Sequence, residues 1–179
     1  FIQISTDEVY GSLSETDPST TEESNFQPNN PYSASKAGAD CLVRSYHKTF
    51  GLPVIITRSS NNFGPYQYPE KLIPVIISKI KNGQKVPIYG KGENIRDWVF
   101  VEDNCAAIDF IRTNGKVGEV YNIPGHEEVR NIDLAKNIIN LLGKDESEIE
   151  FVQDRPGHDI RYSMDGSKLE KLGFKIESN

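Results

Sequence analysis

Residues 5–8, Ser-Thr-Asp-Glu, set two hydroxyls and two carboxyls side by side. Adjacent carboxyls can act as acid and base on one substrate, provided their surroundings hold them in different protonation states. Further along, Tyr32 and Lys36 stand four apart, on one face if the segment is helical. An ammonium beside a phenol favours phenolate and brings a tyrosine toward working pH, which suits it to remove a hydroxyl proton. Each signal alone is commonplace: a Tyr-x-x-x-Lys pair sits on many exposed helices, and Asp-Glu after a strand is often a solvated turn or a helix cap.

The flanking residues indicate how these groups are positioned. Phe1 to Gly11 begins with a short apolar run, predicting a buried parallel strand that delivers Ser5, Thr6, Asp7 and Glu8 at its carboxyl end, where open α/β sheets place their chemistry. Leu13 to Asn30 is polar and aperiodic, hence a loop. Pro31 opens a helix that runs to Phe50 and stops at Gly51, with Ala34, Ala37, Cys41, Leu42 and Ser45 on its apolar side. Leu52 to Arg58 predicts a second buried parallel strand, ending in Asn61 and Asn62, turn formers by type. A helix is expected over Glu70–Asn82 with Pro74 in its first turn, and a strand over Val86–Tyr89. A helix over Glu102–Thr113, with Ala106 inward, and a strand over Glu119–Ile123 follow. Asn131 is expected to cap the next helix. An edge strand at Glu150–Val152 leads into D-R-P-G-H-D-x-R-Y, and Ser167–Gly173 is a short helix. The three histidines are dispersed and no metal-ligand spacing occurs, so no metal is expected. Cys41 and Cys105 are expected to be small buried apolar residues.

S-T-D-E-V-Y-G followed by N-P-Y-S-x-S-K resembles the active-site segments of the extended short-chain dehydrogenase/reductase family. Within it the Thr-Asp-Glu triplet is similar to the dTDP-glucose 4,6-dehydratase branch; sister branches carry a small or hydroxyl residue where Asp7 stands. The resemblance implies an α/β fold: the C-terminal part of a Rossmann-like parallel sheet plus a small α/β substrate-binding lobe. Residues 1–66 and 98–125 would belong to the NAD-binding domain, and 67–97 with 126–179 to the nucleotide-sugar lobe. It further implies Asp7 as acid, Glu8 as base, Tyr32 and Lys36 as the oxidation pair, and Asn62 toward the nicotinamide. Thr6, Asn61, Lys71, Leu72, Pro87, Ile88, Tyr89, Arg96 and Asn131 would bind substrate, and Asp154, Arg155, Pro156, Gly157 and His158 would close over the nucleotide. For Arg96 a diphosphate is favoured over an ordinary salt bridge to Asp97 or Glu102. The family pairs through the Tyr32/Lys36 helix, implying a homodimer.

No G-x-G-x-x-G turn is present, so the resemblance implies a piece without the family's cofactor-binding half. That piece would be inactive alone, with the Phe1–Ser5 strand edge open to self-association. With 179 residues, 36% hydrophobic and 26% charged, the composition is that of a soluble globular protein with one core. A net charge of −6 with scattered basic residues argues against nucleic acid and anionic membranes as partners, and a reducing cytoplasm is the default. Competing readings are a UDP-glucose 4,6-dehydratase, an epimerase or decarboxylase, and a noncatalytic nucleotide-sugar-binding fragment.

Overall fold

The computed structural model describes residues 1–176. In chain order the elements are β1 (Ile2–Thr6), a one-turn 3₁₀ helix (Asp7–Tyr10), α1 (Pro31–Phe50), β2 (Ile55–Ser59), β3 (Asn61–Phe63) and α2 (Leu72–Lys81). Then come β4 (Val86–Tyr89), β5 (Ile95–Phe100), α3 (Val101–Asn114), β6 (Val120–Ile123), β7 (Glu128–Arg130) and α4 (Asn131–Leu141). A second 3₁₀ turn (Glu146–Glu148), β8 (Ile149–Val152) and α5 (Ser167–Leu172) complete the described chain. The fold is α/β with parallel sheets, as the resemblance implied.

Strands β1, β2 and β6 form one parallel sheet in that order. Every residue of β2, the middle strand, is buried, whereas β1 pairs only with β2 among the described residues and leaves Ile4 53% exposed, with Phe1 just before it 67% exposed. Of β1, expected as a buried strand with an open edge, only Ser5 and Thr6 at its carboxyl end are buried. The register sets Thr6 opposite Ser59 and Ser59 opposite Ile123, so the three carboxyl ends lie level. The segments immediately beyond them form the rim of the site.

Two smaller sheets carry the remaining candidates. β3 and β5 pair in parallel, with β7 antiparallel to β5, and β4 pairs in parallel with β8. Asn61 and Asn62, expected as turn formers, lie within β3. One apolar cluster joins Ile55, Val99, Ala107, Ile111 and Ile123 between α3 and the first sheet. A second joins Ile76, Ile80, Ile88, Ala135 and Ile139 of α2, β4 and α4, with Leu72 and Ile132 packed against it.

Helix α1 matches its expected bounds because its ends are written locally. Asn30 caps it in a reciprocal box with Ser33, Pro31 occupies the first turn, and Gly51 adopts φ 71° and donates its N–H to the His47 carbonyl. Its inward face differs from expectation. Ser33, Ala37 and Asp40 are buried, while Ala34, Cys41, Leu42 and Ser45 are exposed. Cys105 and Ala106 on α3 are exposed as well. Period alone left the phase of these faces open, and buried polar residues decided it.

Asp40 faces inward because Arg58 meets it: the guanidinium Nε donates to Asp40 at 3.0 Å, with side chains 4% and 1% exposed. Arg58 also donates to the Tyr10 hydroxyl at 2.7 Å, which in turn donates to Asn122 at 2.7 Å. The same guanidinium lies over the rings of Tyr10 and Phe26. One cation thus ties α1, β2, the 3₁₀ turn and β6 together directly behind the rim. Replacing Arg58 with Met would leave Asp40 buried without its partner, at an expected cost of about 3–5 kcal/mol, read from the denaturation midpoint. An unchanged midpoint would mean the pair does not hold this junction.

Candidate active site

After β1 the chain turns at once into the 3₁₀ helix, whose N-cap is Thr6; the Thr6 hydroxyl accepts from the Glu8 N–H at 3.3 Å and donates to Asp7 Oδ1 at 3.0 Å. Gly11 ends the turn at φ 84°, and a Cβ there would meet the Gln27 carbonyl oxygen at 2.3 Å. This short turn sends the two adjacent acids into different surroundings. Asp7 is 3% exposed and its Oδ2 has no hydrogen-bond partner among the described residues. Glu8 is half-buried and accepts from Asn30 Nδ2 at 3.2 Å.

Burial pushes the Asp7 carboxyl up to about 7, with Glu8 and Asp97 pushing the same way and the Thr6 hydroxyl and Arg96 opposing. A carboxyl in that condition is neutral in mildly acidic solution and can donate a proton. In the unfolded chain the group titrates near 3.8, so between about pH 4 and 7 the folded form holds a proton that the unfolded form has lost. Stability therefore falls as pH rises through that window, by about 4 kcal/mol from this group, and is level above it. Asp7→Asn should remove the fall and be the more stable protein at pH 8, as urea titrations at pH 4 and 8 would show. Equal pH dependence in the two proteins would contradict the burial effect.

Tyr32 projects from the first turn of α1 and is 54% exposed. Burial of its other half raises the phenol above its ordinary value, and the Glu8 and Asp7 carboxylates add to this while the Thr6 hydroxyl opposes it. The phenol therefore faces the residue 6–8 cluster. Lys36 departs from expectation: its ammonium donates to the Ile4 carbonyl at 2.7 Å, and the phenol is held up by the acids rather than drawn down by the lysine. Among the described residues the other two ammonium donors have no hydrogen-bond partner.

Several of the expected substrate residues lie on β4, at the start of α2 and in the segment after β8. Leu72 and Ile88 meet in the second apolar cluster, where Ile88 is 2% exposed, so its backbone and the neighbouring Pro87 and Tyr89 are what a ligand could meet. Lys71 is exposed at the start of α2 without a capping bond. Tyr89 pairs with Val152, and Arg155 lies over the Tyr89 ring at 4.8 Å. Arg155 also donates to His158 Nε2 at 3.2 Å; since a guanidinium only donates, the ring carries its proton on Nδ1 and gives it to Asp154 at 2.7 Å. Burial holds His158 below its ordinary value. Gly157 turns the segment after Pro156 at φ 67°.

One expectation is corrected among these residues. Asn131 is the first residue of α4 and not its cap, which is Arg130; the Asn131 Oδ1 is buried without a partner among the described residues. Arg96 forms no ion pair with Asp97 or Glu102 among the described residues; it donates to the carbonyls of Ile95, Ile160 and Asp159 and lies under the Tyr162 ring. Asp97 instead accepts from the Ser60 hydroxyl and from the N–H groups of Gly125 and Glu127. Adjacent side chains on a strand point to opposite faces, so Arg96 and Asp97 meet different partners.

The segment after β8 is joined to the rim. Asp159, 6% exposed, accepts from Asn29 Nδ2 at 2.6 Å and from the Tyr162 hydroxyl, and its carbonyl receives both Arg96 and Asn94. Asn29 precedes the residue that holds Glu8. Sequence reasoning passed over Asn29, Asn30 and Asp159; the Asn-Pro preceding a helical pattern marked Asn30 as a cap, but nothing local marked its reach back to Glu8. Two shallow concavities, of about 390 and 520 Å³, are lined by none of the rim residues expected to do chemistry. No described helix is long and apolar enough to cross a membrane.

The Asn62 Oδ1, buried and without a partner among the described residues, fits a carboxamide donor such as that of nicotinamide, and the free donors of Lys36 fit ribose hydroxyls. The low-salt glycan biosynthesis protein Agl12 of Haloferax volcanii is 52% identical over 99% of this chain and 56% of its own length. A dTDP-glucose 4,6-dehydratase of Xanthomonas campestris is 51% identical over 98% of this chain and 52% of its own. The crystal structure of the dTDP-glucose 4,6-dehydratase DesIV from Streptomyces venezuelae, with NAD and TYD bound, superposes with a TM-score of 0.97 at 47% identity, covering 99% of this chain and 55% of that one. The chain thus spans about half the length of the relatives it matches. With residues 1–179 all matched by the family model described as GDP-mannose 4,6 dehydratase, the chain belongs to that family.

Proposed function

We propose that this chain is the substrate-side part of an NAD-dependent dTDP-glucose 4,6-dehydratase, oxidising C4 of the hexose, eliminating water across C5 and C6, and completing the 4-keto-6-deoxy sugar. The observation that carries this reading is the contrast between Asp7 and Glu8: adjacent acids, one buried and held neutral to about pH 7, the other held by an amide donor. Oxidation alone needs no such pair; elimination of water needs an acid and a base together. The names of the relatives at 51% and 47% identity point the same way.

Tyr32 takes the C4 hydroxyl proton, with the Thr6 hydroxyl beside it to position the C4 oxygen. The chemistry supplied by bound NAD is reversible hydride acceptance, from C4 at the outset and back to C6 at the end. Once C4 is a ketone its neighbouring C5 proton is acidic, and Glu8 removes it. Asp7 donates its proton to the departing C6 hydroxyl. Lys36 and Asn62 hold the cofactor side. Lys71, Tyr89, Arg96, Asn131 and the Asp154–His158 segment lie toward the nucleotide diphosphate.

In this reading residues 1–66 and 98–125 belong to the cofactor domain, and 67–97 with 126–179 form the nucleotide-sugar lobe, its last three positions lying outside the described residues. The protein works in the cytoplasm as a homodimer paired through α1, whose outer face exposes Leu42, Tyr46 and Phe50; alone, this chain does not turn over. Incubating the protein that carries both halves with dTDP-glucose and with UDP-glucose, and identifying the products, tests the assignment. A 4-keto-6-deoxy product from dTDP-glucose is expected. A C4 epimer, or preference for the uracil nucleotide, would overturn it.

A further inference from the structure

We infer that Asn30 is a positioning residue for the elimination step, fixing the Glu8 carboxylate relative to the helix that presents Tyr32. The inference rests on the reading of Glu8 as the base. It begins with one side chain serving two masters: Asn30 Oδ1 accepts from the Ser33 N–H at 2.9 Å, and Asn30 Nδ2 donates to Glu8 Oε2 at 3.2 Å. The amide orientation follows from chemistry. A backbone N–H can only donate, so the atom facing Ser33 is the oxygen, and the NH₂ must face Glu8.

The cap is rigid in its own right. The Asn30 N–H donates to Ser33 Oγ at 3.2 Å, the Ser33 hydroxyl returns to the Asn30 carbonyl at 3.0 Å, and Ser33 is fully buried. Pro31 fixes the next φ. Glu8 is thereby tied, through one amide, to the turn from which Tyr32 emerges two residues later. Behind it Asn29 is held by buried Asp159, so the anchor reaches the segment that carries Asp154 to His158. Of the two Glu8 oxygens, Oε2 is occupied by this amide, which leaves Oε1 to meet the C5 proton in a set direction. Without the amide the side chain regains its rotamers, and directed proton transfer suffers from small misplacements.

Serine and aspartate both cap helices as well as asparagine does, so Asn30→Ser and Asn30→Asp keep the acceptor for Ser33 and lose the donor to Glu8. In the cofactor-loaded protein carrying both halves, both variants should keep the wild-type melting temperature and the wild-type rate of C4 oxidation. Washout of C5 deuterium from dTDP-[5-²H]glucose into water should slow by about 10–100-fold, the size seen when a supporting residue lets a reacting group drift. Glu8→Gln is the control. If Glu8→Gln leaves the washout unchanged, Glu8 is not the base and the underlying reading fails. If Glu8→Gln abolishes washout while both Asn30 variants match wild type, the base stands and the positioning role is refuted. Equal slowing of oxidation and washout, or a melting temperature lowered in both variants, would make Asn30 a cap only and also refutes it.

Discussion

Replacing Asp7 with Asn should slow water elimination by about 10²–10⁴-fold, the usual contribution of a positioned general acid, while C4 oxidation proceeds near the wild-type rate. The substitution keeps shape and polarity and removes only the proton that can be given to the leaving hydroxyl. Rapid quench should accordingly trap the 4-keto hexose that still bears its C6 oxygen, a species that does not build up when the acid is present. The neutral state of Asp7 matters to its neighbour too. Tyr32 is held up by the negative charge of Glu8 and of Asp7, and a proton on Asp7 cancels the second of these. Oxidation in Asp7→Asn should therefore lose none of its rate at alkaline pH. Elimination at the wild-type rate would remove Asp7 from the role of acid.

Tyr32→Phe should act one step earlier. Phenylalanine keeps the ring at the start of α1 and deletes the hydroxyl that faces Thr6 and the acids, so C4 oxidation itself should fall by at least about 10²–10⁴-fold. Elimination, which needs the ketone, falls with it. Supplying the 4-keto hexose directly should restore elimination in Tyr32→Phe but not in Asp7→Asn, which separates the two residues by step. The tie between Lys36 and the Ile4 carbonyl braces β1 against α1. Oxidation by Tyr32→Phe at the wild-type rate would show that another group takes the proton.

What the sequence revealed about this site was whatever neighbouring residues decide among themselves. Pro31 and Gly51 bound α1 without outside help, and the β-branched run before Ser59 reads as a buried strand. Polar partners far apart in the chain were invisible. Asp40 and Arg58 are 18 positions apart, Glu8 and Asn30 22, and Asn29 and Asp159 130, and no period or motif reports a contact at that range. Those hidden partners also rotated α1, placing Asp40 inward and Cys41 outward. They likewise aimed Arg96 at the Asp159 and Ile160 carbonyls. The chemistry-bearing types were legible; the supports that set their protonation were not.

The proposed elimination turns on a carboxyl that keeps its proton where its neighbour's role requires an anion. Infrared difference titration of the protein, with Asp7→Asn as the reference, isolates the Asp7 C=O stretch and follows it with pH. A protonated Asp7 band that disappears with a midpoint near 7 is expected. A midpoint near 3.8, the ordinary aspartate value, would mean that Asp7 is already ionised at neutral pH and has no proton to give.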